Sequence, residues 1–113
     1  YSGSNTLADI GWFTDNSGDK THPVGSLKAN ELEIYDMSGN VWEWCGDDWH
    51  NDYKGAPVDG SVWVDSPKRG TRRVFRGGGW YCVARFCRVA SRISNSPSSR
   101  FDAFGFRLAL SLQ

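Results

Sequence analysis

The sequence predicts a small, turn-rich fold of short strands packed through aromatic side chains, rather than a helical bundle. The chain has 113 residues, which is enough for one domain with a single core. Aromatic residues make up 14% of it, and thirteen residues are Gly. Hydrophobic residues make up 39%, which indicates a globular protein. Strong helix formers do not occur in runs, and no apolar stretch is long enough for a transmembrane segment.

The first half predicts one strand between two irregular regions. Residues 1–30 are rich in Ser, Gly, Asn, Asp and Thr, and within them residues 15–19 (DNSGD) predict a turn. Residues 41–45 (VWEWC) alternate large apolar side chains with others, as a half-buried strand does. Residues 46–61 are polar and rich in Gly and Asp, which predicts a long loop.

The second half predicts three short strands and one loop. Strands are expected over residues 62–64 (VWV), over 74–76 (VFR), which run into three glycines at 77–79, and over 105–110 (GFRLAL). Residues 93–103 are rich in Ser and lack periodicity, so they predict a loop. Core packing is the expected role of Trp42, Trp44 and Trp80.

Charge is balanced overall but divided between the two halves. Residues 1–67 hold twelve acids and three bases, whereas residues 68–113 hold ten bases and one acid, Asp102. Such asymmetry is typical either of a nucleic-acid surface or of two halves that pair with each other. Nine of the ten bases are Arg, and they are spaced rather than clustered. Because the Arg head pairs well with carboxylates and carbonyls, we expect internal pairing and no nucleic-acid partner.

The three cysteines, Cys45, Cys82 and Cys87, cannot all pair within the chain. A bridge between Cys82 and Cys87 requires a bend that brings their Cα atoms within about 7 Å. No pair has the spacing of a structural zinc site, so zinc is not expected.

Three landmarks follow one another in the order of a known family. They are residues 34–44 (IYDMSGNVWEW), 76–80 (RGGGW) and 105–107 (GFR). The chain thereby resembles the formylglycine-generating-enzyme, or sulfatase-modifying-factor, family from about Tyr1 to Leu110. The resemblance implies a single α+β domain of the C-type-lectin-like fold over residues 1–113, irregular, with short antiparallel strands. Since such domains are usually longer, we expect the chain to be the C-terminal part of a longer protein.

The first landmark resembles the calcium site of that family. The resemblance assigns the ligands to the Asp36 side chain, the carbonyls of Gly39 and Val41, and the Glu43 side chain. Calcium prefers oxygen ligands of this kind. The residues alone also allow a different interpretation, in which Asp36 caps the turn and Glu43 pairs with an Arg of the basic half.

The family's enzyme oxidises a substrate cysteine to formylglycine with two cysteines and copper(I). Cys82 and Cys87 resemble that pair in spacing and place, and thiolates suit copper(I). Two positions depart from the enzyme's pattern: Gly79 stands where the enzyme has Ser, and Ala103 stands where it has Asn. Counting back from Gly105 also puts Cys87 out of register with the enzyme's second cysteine.

A second resemblance within the family is to variable proteins of diversity-generating retroelements, of the Treponema variable protein type. It rests on the residues we call the framework residues, which are Arg76 to Trp80, Cys87 to Ala90, Arg92, Pro97, Arg100 and Gly105 to Arg107. In these systems a template is copied with errors at adenines. Asn codons then become codons that end in C or T, which cannot encode Lys, Glu, Gln, Met or Trp.

Fifteen positions between the framework residues are expected to form a ligand-binding surface, and none of them holds a forbidden residue type. We call them the candidate variable positions: Tyr81, Cys82, Val83, Arg85, Phe86, Ser91, Ile93, Ser94, Asn95, Ser96, Ser98, Ser99, Phe101, Asp102 and Ala103. Their aromatic residues offer rigid contact area, and their Ser and Asn residues offer adaptable hydrogen bonds, as in antibody loops. An ordinary Ser-rich loop is the alternative.

These observations lead to two functional expectations. The first is a non-enzymatic protein that displays a retroelement-diversified surface over residues 76–107 and binds a protein or another macromolecule. The resemblance implies that such a protein is exposed at a cell surface or outside the cell. The alternative is a copper-dependent formylglycine-generating oxidase that uses Cys82 and Cys87. A fixed structural member of the family remains a third interpretation.

Overall fold

The structure is a computed structural model that describes residues 1–110 of the chain. Its regular elements are four strands and two 3₁₀ helices. The strands are β1 (Trp42–Asp48), β2 (Arg73–Arg76), β3 (Arg92–Asn95) and β4 (Phe104–Gly105), and the 3₁₀ helices cover Leu7–Asp9 and Ala84–Cys87. This confirms the prediction of few helices and short strands. Within the described residues, no helix has the length and apolar character needed to cross a membrane.

The four strands form one mixed sheet in the order β3-β2-β1-β4. β1 and β3 both pair antiparallel with β2. β4 pairs parallel with β1, with Trp42 opposite Phe104, so the expectation of antiparallel strands alone is wrong at this edge. Parallel neighbours need a long connection between them. Here the connection contains β2, β3 and all fifteen candidate variable positions, and it returns the chain to the edge of β1.

The prediction over residues 41–45 is confirmed and extended, since β1 continues to Asp48. The prediction over 74–76 is also confirmed by β2. The predicted strand over 62–64 is wrong. Trp63 makes two hydrogen bonds to β1, from its own N–H to Asp47 and from the Asp48 N–H to its carbonyl, and these do not extend into a ladder.

Two predictions about the basic half are also wrong. The start of the expected loop over 93–103 is a strand, because β3 pairs with β2 at all four of its residues. All four are half-buried, so the strand lacks the alternation by which a sequence reveals it. The expected closing strand over 105–110 shrinks to Gly105 at the end of β4. Phe106 and Leu108 alternate as strand residues do, yet both are exposed.

The core is an aromatic and aliphatic cluster under the sheet. Phe75 is fully buried, and Trp44 lies against it with a ring-centroid distance of 3.7 Å. The buried members of the cluster are Leu7, Ile10, Phe13, Trp42, Phe75, Cys82 and Cys87. The core prediction is therefore confirmed for Trp42, and Trp44 packs against the cluster. Trp80 is only half-buried.

The turn of the first landmark connects the irregular N-terminal region to the glycines after β2. The Asn40 N–H donates to the Trp12 carbonyl at 2.7 Å, and the Asn40 carbonyl accepts from the Trp80 N–H at 2.8 Å. The Gly39 N–H donates to the Gly77 carbonyl at 2.7 Å. A Cβ atom at Gly39 would collide with the Trp12 carbonyl oxygen, so only glycine fits there.

Each ion pair between Arg and a carboxylate in the described part of the chain joins the acidic half to the basic half. Asp48, which is fully buried, pairs with Arg69 and Arg73. Glu43 pairs with Arg107. For these residues the expectation of internal pairing is confirmed, which accounts for part of the charge division without a nucleic-acid partner.

Candidate functional site

The candidate variable positions are mostly accessible. Thirteen of the fifteen are exposed or half-buried, and the two buried ones are Cys82 and Ala103. They follow the glycine turn, run through the second 3₁₀ helix and β3, and continue in the loop before β4. The accessible positions satisfy the first requirement of a binding surface, since their side chains reach solvent without leaving the fold.

Six of the candidate variable positions meet at one pocket, which we call the variable pocket. It has a volume of about 370 Å³. Its lining combines those six positions with two other aromatic residues: Tyr81, Ile93, Asn95, Phe101, Asp102 and Ala103, together with Trp80 and Phe104. The six come from three separate segments, which the β2–β3 pairing and the parallel β1–β4 pairing bring together. A pocket of this size lies at the lower end of the range for ligand sites.

Half of the residues that line the variable pocket are aromatic. The rings of Trp80 and Tyr81 meet edge to face with centroids 5.4 Å apart, and those of Phe101 and Phe104 do so at 5.0 Å. In each pair one ring is half-buried and the other is exposed. The exposed rings of Tyr81 and Phe101 are therefore held in place by edge-to-face contacts with half-buried rings. This lowers the entropy that they would lose on contact with a ligand.

Tyr81 is also tied to the core. Its hydroxyl accepts a hydrogen bond from the indole Nε1 of Trp42 at 3.2 Å. Burial raises the pKa of Tyr81, the Trp42 bond opposes this, and the charge of Asp102 adds to the rise. The phenol is consequently neutral at physiological pH, and the Asp102 carboxylate lies close enough to act on it electrostatically.

The framework glycines that precede the variable segment are tightly packed. Gly77 and Gly78 have φ angles of 98° and 75°, which favour glycine. A Cβ atom at Gly78 would lie 2.5 Å from the Cys87 sulfur and 3.1 Å from the Phe86 carbonyl oxygen. The glycine turn thus lies directly against the second 3₁₀ helix. This fits a close crossing of the backbone, and no anion-binding role is needed to explain these glycines.

Two framework arginines fix the other side of the variable segment. The guanidinium of Arg92 lies over the rings of Trp49 and Tyr53, at 4.2 Å and 4.6 Å from their centroids. Arg76 donates to the Val89 carbonyl at 3.0 Å and to the Tyr53 hydroxyl at 2.8 Å. The guanidinium groups of both arginines thus contact the scaffold through hydrogen bonds or stacking, as the framework interpretation expects.

The two cysteines that resemble the enzyme's redox pair are free thiols in the core. Burial raises the pKa of Cys82. It raises that of Cys87 to about 12, and the neighbouring Cys82 adds to this rise. Both groups are therefore protonated at neutral pH in the metal-free protein. Two adjacent thiols are the donor type that copper(I) prefers, so the donor set itself fits that metal.

The two positions that depart from the enzyme's pattern lie together beside those cysteines. A Cβ atom at Gly79 would be 3.4 Å from the Trp42 ring and 3.7 Å from the Cβ of Ala103. Where the enzyme's pattern has a hydroxyl and an amide, this chain therefore has an apolar spot.

The four residues assigned to calcium line one pocket of about 460 Å³, together with Arg107. The Asp36 Oδ1 atom is buried and has no hydrogen-bond partner among residues 1–110, which suits a cation. Its Oδ2 accepts from the Gly25 N–H at 2.8 Å, so Asp36 also caps the turn. Both oxygens of Glu43 accept from Arg107, whose guanidinium also donates to the carbonyls of Tyr35 and Asp36. A calcium ion would have to share Glu43 with that arginine.

The chain matches the family model described as the sulfatase-modifying factor enzyme 1-like domain over residues 2–112. It belongs to that family. The formylglycine-generating enzyme of Thermomonospora curvata is 39% identical to it over 94 residues, which cover 79% of this chain and 31% of that enzyme. The family membership confirms the resemblance carried by the three landmarks.

Two solved structures support the C-type-lectin-like fold. Treponema denticola variable protein 1 has a TM-score of 0.76 and 39% identity, and the match covers 94% of this chain and 38% of that one. PvdO from Pseudomonas aeruginosa has a TM-score of 0.83 and 35% identity, over 94% of this chain and 42% of that one. The chain thus spans between 31% and 42% of the length of these relatives.

Sequence reasoning missed three residues that matter for the site of this family member. Trp80 was expected in the core, yet it forms a wall of the variable pocket. Phe104 had no assigned role, and it supports Phe101 from β4. Asp48 supports the scaffold through its two arginines. Each of these three residues acts through contacts with residues distant in the sequence or through the packing of the folded chain, which the local sequence does not reveal.

Proposed function

We propose that this chain is a ligand-binding protein without enzymatic activity, whose binding surface is diversified by a retroelement. Its ligands are proteins or other macromolecules presented to the variable pocket and the accessible residues around it. On this proposal the protein acts at a cell surface or outside the cell, where such ligands are met.

The observation that carries the proposal is the convergence of six candidate variable positions on one pocket. Those positions lie between the framework residues of the resemblance, and each holds a residue type that the codon restriction allows. They are separated by up to 22 positions along the chain, from 81 to 103, and the strand pairing gathers them. The framework residues between and before these positions are glycines in tight contact and arginines engaged with the scaffold. This arrangement supports a function carried by variable side chains on a rigid scaffold.

The resemblance to a variable protein extends over nearly the whole chain. Treponema denticola variable protein 1 shares the fold and is 39% identical over a match that covers 94% of this chain and 38% of that one. Since family members also include enzymes, the fold alone does not decide between binding and catalysis. Gly79 and Ala103 favour binding, because they leave no polar side chain at the two positions where the enzyme's pattern has one.

The second candidate is a formylglycine-generating oxidase, and one observation favours it. Cys82 and Cys87 lie together in the core as free thiols. Bound copper(I) would supply the redox chemistry, and these two side chains would hold it. Incubation with copper(I) and a cysteine-containing sulfatase peptide tests this candidate. Formation of an aldehyde on that peptide supports the oxidase and refutes a purely binding role.

We also propose that calcium binds at the turn of the first landmark. Asp36, Gly39, Val41 and Glu43 all line the same pocket, and the Asp36 Oδ1 atom, buried and without a hydrogen-bond partner among residues 1–110, is the observation that supports the site. Calcium there would cross-link the turn to the start of β1 and so stabilise the scaffold under the binding surface.

A display experiment tests the binding proposal on the protein itself. The six candidate variable positions of the variable pocket are replaced by the residues that codons ending in C or T encode, and the library is displayed on yeast. Selection against one purified protein should enrich folded variants whose affinity depends on those six positions. A matched library at six exposed residues of the acidic half serves as the control: Glu31, Glu33, Asp52, Lys54, Val58 and Asp59. Equal enrichment from both libraries, or loss of folding in most variants of the first, would overturn the proposal.

A further inference from the structure

We propose that the variable pocket of this chain accepts the cationic side chain of an Arg or Lys displayed by a protein ligand. This inference rests on the proposed binding function and specifies its partner. It follows from the chemistry of the pocket lining, which combines aromatic faces with a single carboxylate.

The aromatic lining suits a cation. Four of the eight lining residues are Trp, Tyr or Phe. Their faces carry negative electrostatic potential and attract a guanidinium or ammonium group within about 6 Å of the ring centre. The exposed rings of Tyr81 and Phe101 come from different segments, so a side chain that enters the pocket meets aromatic carbon from both.

The only formal charge in the lining is negative. Asp102 is exposed, and among residues 1–110 it forms no ion pair and no side-chain hydrogen bond. Asp102 lines the same cavity as the rings of Tyr81 and Phe101. The amide oxygen of Asn95, which also lines the pocket, already accepts from the Ser96 N–H at 2.9 Å and from the Ser99 hydroxyl at 2.7 Å, so the free carboxylate acceptor of the lining is Asp102. A carboxylate beside aromatic faces completes a site for a cation and disfavours an anion.

The basic residues of the same half do not occupy this site. Arg92 is stacked on Trp49 and Tyr53, and Arg76 is hydrogen-bonded to the scaffold. Arg85 lies over the ring of Phe86, 4.9 Å from its centroid. None of the three lines the variable pocket. Asp102 therefore stays available to a cation from outside, although it is the only acid of the basic half.

The test is an NMR titration of the full chain with short peptides as probes. Acetyl-Gly-Arg-Gly-amide is compared with the same peptide carrying citrulline, which keeps the shape of Arg and removes its charge. Acetyl-Gly-Lys-Gly-amide and acetyl-Gly-Glu-Gly-amide complete the set. We expect the Arg and Lys peptides to shift the indole resonance of Trp80 and the backbone amides of Tyr81 and Asp102. The citrulline peptide should bind about fivefold more weakly, and the Glu peptide more weakly still.

Two variants separate the carboxylate from general charge. Asp102→Asn should weaken the Arg peptide about fivefold and leave the melting temperature unchanged, because the side chain is exposed. Glu31→Gln removes an exposed acid outside the pocket lining and should leave binding unchanged. The inference is overturned if Arg and citrulline peptides bind equally, if the Glu peptide binds best, if no peptide shifts the pocket resonances, or if Asp102→Asn has no effect.

The outcomes also distinguish this inference from the proposed function. If the display library yields binders while the Arg peptide fails, the pocket binds a ligand of different chemistry and the diversified surface stands. If the Arg peptide binds as expected but the coding segment proves invariant in the source population, the site is a fixed cation-binding site and the diversification is wrong.

Discussion

Asp48→Asn tests whether the acidic and basic halves are held together at a buried carboxylate. Oδ1 of Asp48 accepts from Arg69 at 3.1 Å and forms an ion pair with Arg73, whose Nη1 lies 2.8 Å away. Oδ2 accepts from the N–H groups of Asp65 and Gly70 at 2.8 Å and 3.2 Å. The Asn side chain keeps one acceptor oxygen, but its NH₂ group replaces the other oxygen. That NH₂ group would face the N–H donors that the carboxylate oxygen accepts from. The substitution therefore removes a charge and leaves hydrogen-bond groups unpaired.

The expected cost follows from how far each partner is buried. Loss of one member of a buried ion pair costs about 3–5 kcal/mol. The side chain of Asp48 is fully buried and that of Arg73 is 18% exposed, whereas that of Arg69 is 46% exposed and can return to water. We therefore expect the lower end, about 3 kcal/mol in the free energy of unfolding. For a domain of this size, that corresponds to a fall in melting temperature of roughly 12 °C.

Urea unfolding followed by tryptophan fluorescence measures this loss, and calorimetry measures the melting temperature. Asp52→Asn is the matched control, because Asp52 is an exposed carboxylate that accepts only the Lys54 N–H. The control should change the free energy of unfolding by less than about 0.5 kcal/mol. A loss below about 1 kcal/mol for Asp48→Asn would refute the reasoning, because it would mean that the two halves do not depend on this carboxylate.

Three further predictions concern pH, calcium and the thiols. Burial raises the pKa of Asp48, but hydrogen bonds from Asp65, Arg69 and Gly70 outweigh it and lower the pKa from 3.8 to about 2. The stability that ionised Asp48 contributes is present above the pKa of the unfolded state and is lost as pH falls from about 4 to 2. Melting temperatures measured across this pH range should therefore fall in the wild type. An equal fall in Asp48→Asn would contradict the assignment to Asp48. Calcium at 100 times its dissociation constant should raise the free energy of unfolding by about 2.7 kcal/mol, and a chelator should reverse this gain. An unchanged melting curve together with no calcium by elemental analysis would refute the site. Iodoacetamide should label the half-buried Cys45 before the two buried cysteines, as mass spectrometry of digests can measure, and faster labelling of a buried thiol would favour the oxidase.

The sequence was informative where chemistry is local. The alternation of residues 41–45 predicted β1, and the three landmarks predicted the family and the general fold. β3 escaped prediction because its four residues are all half-buried, so no face of the strand stands out. The parallel position of β4 depends on a pairing of Trp42 with Phe104, 62 positions apart, and no local pattern encodes such a contact.

The site was predictable in its membership and not in its shape. The resemblance of the framework residues identified the candidate variable positions, but only the folded structure shows which six share a pocket with Trp80 and Phe104. Asp48 follows another aspartate, Asp47, and the sequence does not tell which of the two is fully buried.

The most direct test of the central claim is deep sequencing of codons 76–107 in many clones of the source population. The account predicts variation concentrated at the fifteen candidate variable positions, in the first two bases of codons that end in C or T. The framework residues, including Gly78 and Cys87, should stay constant. A segment that is invariant throughout the population and always keeps both Cys82 and Cys87 would contradict the account and favour the oxidase or a fixed structural role.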